Sequence, residues 1–174
     1  GMNVTLEISV PEIVRAMAGY TSDQSFNAAM ERAIAMQRTS RDDFITLFGR
    51  AFEEVDPGAS LAYFFSTPET RDRISITATN DEVLRVLRRE VNDAVDRSFQ
   101  ILRTRIDRFG VAQPNIQKLA TSGRILVELP GIKEPERVRR LLQGTARLEF
   151  WETYEFSDLY NYFWDANERL KDLQ

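Results

Sequence analysis

The sequence predicts an α+β fold of the ferredoxin-like, split βαβ kind. This means a four-stranded antiparallel sheet with helices on one face, here with a helical insertion after the first strand and a C-terminal helix. Three observations predict it. The first ten residues alternate apolar and polar; the stretch from Asn80 to Phe109 steps its apolar residues by three and four; and two more alternating segments follow it around a Gly-containing turn. With residues 11–79 set aside, the order reads strand, helix, strand, strand, helix, strand.

In residues 2–10, Val4, Leu6, Ile8 and Val10 alternate with Asn3, Thr5, Glu7 and Ser9, and Pro11 marks the end of the strand. Between Ser22 and Thr39, Phe26, Met30, Ala33 and Ile34 keep helical spacing. Between Arg41 and Asp56, Phe44, Phe48, Ala51 and Val55 keep it again, with Ser40 as N-cap and Asp43 three residues on. Pro57-Gly58 ends the second helix. Leu61–Phe65 is too short and too uniformly apolar for periodicity to choose between helix and strand. Arg73–Ala78, "RISITA", alternates weakly as a short strand does.

Thr79, with Glu82 three residues later, forms a capping box for a helix striped by Leu84, Leu87, Val91, Val95, Phe99, Leu102, Ile106 and Phe109. At 1.5 Å per residue it is about 45 Å long, and a kink is expected. Gly110 supplies the left-handed residue that closes it. "VAQPNIQKLA" and "RILVELP" then read as strands joined by Thr121-Ser122-Gly123, with Pro114 placing the first at a sheet edge or delaying its ladder. Pro130-Gly131 breaks the second strand. Pro135 opens a helix carrying Val138, Leu141 and Leu142, and Gly144 closes it. "TARLEFWETY" is the fourth strand, and Leu159, Phe163, Ala166, Leu170 and Leu173 mark a last helix after Ser157. The domain reading is a base over 1–155, including the insertion 11–79, and a C-terminal helix over 156–174.

Composition narrows the chemistry. The 174 residues, 43% apolar and 29% charged, suffice for a core, and a net charge of -4 gives no overall attraction to nucleic acid or an anionic surface. The absence of Cys and His removes thiolate nucleophiles, disulfides, most zinc sites and the usual neutral-pH base. The longest apolar runs are a few residues, far below the roughly 20 needed to span a bilayer. The chain begins without a signal sequence and reads as an excised piece.

Each candidate for chemistry has a plainer explanation. Glu7, Glu128 and Glu149 fall in the solvent-facing register of strands, where a half-buried sheet needs polar residues anyway. On the long helix seven arginines (Arg85, Arg88, Arg89, Arg97, Arg103, Arg105, Arg108) face six acids (Asp81, Glu82, Glu90, Asp93, Asp96, Asp107), a local sum of only +1. Asp93 stands at the i,i+4 pairing offset from Arg97, and Glu90 one turn further away. The central strands lack the aromatic residues on which RNA-recognition domains stack bases, and no Gly-rich loop suits a phosphate. The segment Phe150–Trp164 differs: it holds eight of the chain's eighteen aromatics, too many for one strand face and one helix face. Trp151, Tyr154, Phe156, Tyr160 and Trp164 are therefore the candidate interface.

"ILRTRIDRFGVAQPNIQ" followed by "GRILVELPGIKEPERVRRLLQGTARLEF" closely resembles SecD, a membrane subunit of the bacterial protein-export translocase, including its fused SecDF forms. The likeness covers about Val91 to Phe150. Its signature residues are Arg105, Gly110, Val111, Pro114, Glu128, Leu129, Pro130 and Gly131, all structural in role. The resemblance implies the family's first periplasmic domain, held at the inner membrane beside SecF and the SecYEG channel. There it would act on unfolded preprotein clients by proton-motive-force-dependent conformational cycling. It also implies that Gly1 is native, that a head domain follows the "LEF" strand, and that the proton-carrying residues lie in transmembrane helices elsewhere. No catalytic residue, cofactor or metal ligand carries over, so no enzyme is expected. The helical residues 22–56 do not match and read as an elaboration. The alternative is a ferredoxin-like regulatory module binding a small ligand. An acyl-phosphate hydrolase is a poorer reading, because Arg15 lacks a convincing Asn partner.

Overall fold

The computed structural model of the chain describes residues 1–119, 123–143 and 167–169. In chain order its elements are β1 (Met2–Glu7), α1 (Val10–Met17), α2 (Gln24–Met36), α3 (Phe44–Val55), α4 (Ala62–Phe65), α5 (Asn80–Phe109), β2 (Asn115–Leu119), β3 (Arg124–Leu129), α6 (135–143) and β4 (Asn167–Arg169). They fall into two compact units. One joins Gly1–Ser9 to Asn92–Gln174 and holds the sheet; the other is Val10–Val91 and is helical.

In the sheet unit β1 and β3 run antiparallel in register from Met2↔Leu129 to Glu7↔Arg124, and β2 pairs with the other side of β3 from Asn115↔Glu128 to Leu119↔Arg124. The alternation read at the N-terminus is the buried face: Met2, Val4, Leu6 and Ile8 are buried, as are Ile125, Val127 and Leu129 opposite. Val95, Leu102 and Ile106 of α5 and Val138 and Leu142 of α6 are buried within the same unit. Ile8 N–H extends the β1–β3 pairing one step by donating to Gly123 O at 2.8 Å.

The ferredoxin-like, four-stranded expectation is overturned. Among the described residues the sheet proper is three antiparallel strands of five or six residues, and six helices accompany it, so the fold is mixed α+β. Beyond β1, among the described residues, comes β4, three residues paired as Asn3↔Arg169 to Thr5↔Asn167, and these belong to the segment expected to be a helix after Ser157. The strand expected at Thr145–Tyr154 lies outside the described residues. Alternation in a sequence reports a half-buried face; it does not choose the ladder that supplies the partner.

The helical unit is built around phenylalanine. Phe26 of α2, Phe44, Phe48 and Phe52 of α3 and Phe65 of α4 are buried, with Phe26–Phe48 and Phe48–Phe65 in edge-on contact at centroid distances of 5.6 and 6.2 Å. Three local expectations change here. Pro11 is the second residue of α1 and not a stop, because a helix's first turn needs no N–H from it. The N-cap of α3 is Asp43, which accepts from Thr46 N–H at 3.1 Å, whereas Ser40 Oγ accepts from Asp42 N–H. Residues 73–78 form turns, not a strand, and Leu61–Phe65 resolves as the last residue before α4 and α4 itself.

The start of α5 is as read. Thr79 N–H donates to Glu82 Oε2 at 2.8 Å and Glu82 N–H donates back to Thr79 Oγ1 at 3.2 Å, which closes the capping box. Asn80 adds a tie that the sequence did not announce. Its Oδ1 accepts from Leu61 N–H at 2.8 Å and its Nδ2 donates to Ala59 O at 2.9 Å.

Candidate functional site

The signature residues gather where α5 hands over to the β2–β3 hairpin. Arg105 is half-buried one turn before the end of α5. Gly110 stands at φ 79°, and its N–H donates to Asp107 O at 3.2 Å, tightening the last turn. No atom would meet a Cβ there within 4 Å, so the requirement for glycine is one of backbone conformation alone. Gln113, at φ 52°, is a second left-handed residue and completes the reversal.

Val111 and Pro114 are half-buried, and β2 begins immediately after Pro114 on the outer side of β3. An edge strand is where a missing N–H costs least. Asn115 lies opposite Glu128 and donates through Nδ2 to its Oε2 at 3.1 Å. Leu129 is 1% exposed and sits against Met2 in the register; Pro130 is exposed, and Gly131, at φ 67°, turns the chain toward α6. Gly110, Pro130 and Gly131 thus contribute turns, and Glu128 and Leu129 ladder positions.

Two half-buried rings of α5 are finished by cations from the hairpin and from α6. Lys118 Nζ lies 5.3 Å from the centroid of Phe99 and 2.7 Å from Asp96 Oδ1, and the Arg137 guanidinium lies 5.1 Å from the centroid of Phe109. Cations over aromatic faces let rings stop short of full burial. Sequence reasoning placed Phe99 and Phe109 in the helix stripe but had no signal for these partners, which come from other elements.

The strand carboxylates do not converge. Glu128 is paired in register with Asn3, and Glu7 with Arg124, whose Nε is 3.7 Å from Glu7 Oε1. Four ladder positions, about 13 Å, separate the two acids. Glu149 and the candidate interface residues Trp151, Tyr154, Phe156, Tyr160 and Trp164 lie outside the described residues. Among the described residues no group of acidic side chains has the arrangement of a metal site, and no helix is long and apolar enough to cross a membrane.

Fold and site together define an α+β module in which a long helix, a tight reversal and an antiparallel hairpin form one shaped surface. The family model for the N-terminal part of the P1 domain of protein translocase subunit SecDF matches residues 95–155, which all belong to the sheet unit. A protein translocase subunit SecD from Rhodothermus marinus is 44% identical over 150 residues, covering 86% of this chain and 24% of that protein. One from Syntrophobacter fumaroxidans is 29% identical over 86% of this chain and 30% of that protein, and one from Magnetococcus marinus is 52% identical over 38% and 12%. No solved structure matches the chain.

The chain belongs to the SecD/SecDF family of protein translocase subunits, in the region of the P1 domain. It spans about a quarter of the length of the Rhodothermus relative. The Rhodothermus and Syntrophobacter matches are too long to leave out the helical unit, so residues 22–56 have counterparts in those two relatives, whereas the Magnetococcus match covers only 38% of the chain.

Proposed function

We propose that this chain is the extracytoplasmic P1 module of a protein-export motor. In this reading it stands on the periplasmic side of the inner membrane, beside SecF and the SecYEG channel, and contacts unfolded preproteins as they emerge. It makes and breaks no bonds. It works by conformational cycling driven by the proton motive force, with proton-carrying groups in membrane helices of the complete protein. The observation that carries the proposal is the joint match of the α5 end, the reversal and the hairpin to the P1 family model over residues 95–155.

The test uses the complete protein in cells. Replacing this module by a flexible linker should make secretory precursors accumulate, and dissipating the proton motive force should add little further defect. Export at the normal rate in the linker variant would overturn the proposal. A defect that is fully additive with loss of the proton motive force would overturn its energetic part.

A further inference from the structure

The helical unit contains a cleft of about 550 Å³ that the export reading does not use, lined by the turn segment 73–79 and the first turns of α5. Its apolar floor includes Ile74 and Val83, which are 1% and 0% exposed. Its rim carries Ser75, Thr77, Arg73, Arg85 and Arg89.

Most cations of this unit that meet another helix or turn are matched. Arg15 pairs with Glu12 and Glu31, Arg32 with Glu54, Arg50 with Asp42 and Arg88 with Asp43. Arg73 is fully engaged by Glu90, Asp72 and the Glu69 carbonyl. Arg85 and Arg89 have no carboxylate within ion-pair distance among the described residues, and unlike Arg38, Arg41 and Arg71 they line this cleft. They stand at i and i+4, so two like charges share one helix face and repel each other unless an anion joins them. The one acid on the cleft wall, Glu82, is held back in the capping box.

The hydroxyls complete the set of donors. Ser75 Oγ and Thr77 Oγ1 lie 3.0 Å apart on the rim, where each has further capacity to donate or accept. Two planar guanidinium forks beside two hydroxyls match a tetrahedral oxyanion better than a planar carboxylate, which one fork satisfies alone.

We infer that this cleft binds a phosphate group through Arg85 and Arg89. The group is either the phosphodiester of a lipid headgroup or a soluble phosphoester. The inference stands independently of the export reading, because the cleft is built wholly within Val10–Val91.

The test is NMR titration of the whole chain with inorganic phosphate, followed by flotation with vesicles of equal parts phosphatidylglycerol and phosphatidylcholine. Phosphate should shift the amides of residues 73–89 saturably. Arg85→Gln with Arg89→Gln should weaken binding by about tenfold or more, while Arg38→Gln with Arg41→Gln should leave it unchanged. Flotation that the first pair abolishes assigns the lipid headgroup; saturable phosphate binding without flotation assigns the soluble source. Shifts spread evenly over all exposed arginines, or equal losses in both pairs of variants, would overturn the site. An acidic peptide binding there more tightly than phosphate would overturn the assignment of the ligand.

Discussion

The two compact units bury different materials, and the difference follows from their elements. In Val10–Val91 short helices meet, and five buried phenylalanines from three of them interlock, with Phe64 half-buried beside them. In the sheet unit the buried apolar side chains of β1, β3, α5 and α6 are Met, Val, Leu and Ile, and among its described residues no ring is fully buried. A pleated face takes branched aliphatics in rows, whereas short helices leave irregular gaps that large flat rings fill. Recognition follows the same division. The family model lies wholly in the sheet unit, where turn and ladder demands fix particular residues at particular places. A ring cluster can be rebuilt from many sequences of similar volume.

The sharpest way to break this comparison is to empty the ring cluster. Phe48, 0% exposed and touching the rings of Phe26, Phe44, Phe52 and Phe65, should cost about 3–5 kcal/mol when replaced in Phe48→Ala, read by urea denaturation. Amide exchange should rise throughout α2 and α3. A cost below about 1 kcal/mol would show that the rings are loosely packed and the contrast empty. Its counterpart in the sheet, Ile125→Ala at a residue 0% exposed, should cost about 2–5 kcal/mol, with exchange rising in β1 and β3.

The signature residues are expected to act through backbone geometry, with smaller effects. Gly110→Ala forces a Cβ onto φ 79° and should cost about 1–2 kcal/mol, although nothing stands in its way. Thr79→Ala removes half of a capping box and should cost about 1 kcal/mol by the same denaturation measurement. Arg124→Ala separates a pair whose side chains are 51% and 44% exposed, and the change should be at most about 0.5 kcal/mol and vanish in high salt.

What the sequence revealed follows the same physical line. β1, the hairpin and the Thr79–Glu82 box were legible because each rests on residues adjacent in the chain: a period of two, a Gly in a turn, a Thr and a Glu one turn apart. α1 was not legible, because Pro11 serves equally as a strand stop and as a first-turn helix residue, and only the fold decides. Neither was β4, since three residues are too few for any period. The ring cluster was hidden because Phe26, Phe48 and Phe65 each read as an ordinary helix stripe or an ambiguous run. Their meeting depends on how α2, α3 and α4 pack.

The charged groups teach the same lesson. Summed along α5, arginines and acids nearly cancel, and the offsets around Arg97 suggested pairs along the helix. In three dimensions Glu90 turns to Arg73 and Asp96 to Lys118, while Arg85 and Arg89 face a cleft without an acid partner among the described residues. A one-dimensional sum cannot register that segregation, because partners come from elsewhere in the chain. For the signature, local geometry sufficed: Gly110, Pro114 and Gly131 were read as punctuation, and each stands at a turn or at the start of a strand.

Whether this chain is a working part of a protein-export machine is decided by crosslinking in cells. Single cysteines are placed in the complete protein at Asn161, within the aromatic segment, and at exposed Gln117 on the outer strand of the sheet. A secretory preprotein stalled in transit serves as the target. Adducts are expected at one or both positions, forming only while export is under way and vanishing when the proton motive force is dissipated. No adduct at either position, with a cysteine elsewhere in the same protein reacting under the same conditions, would contradict that role.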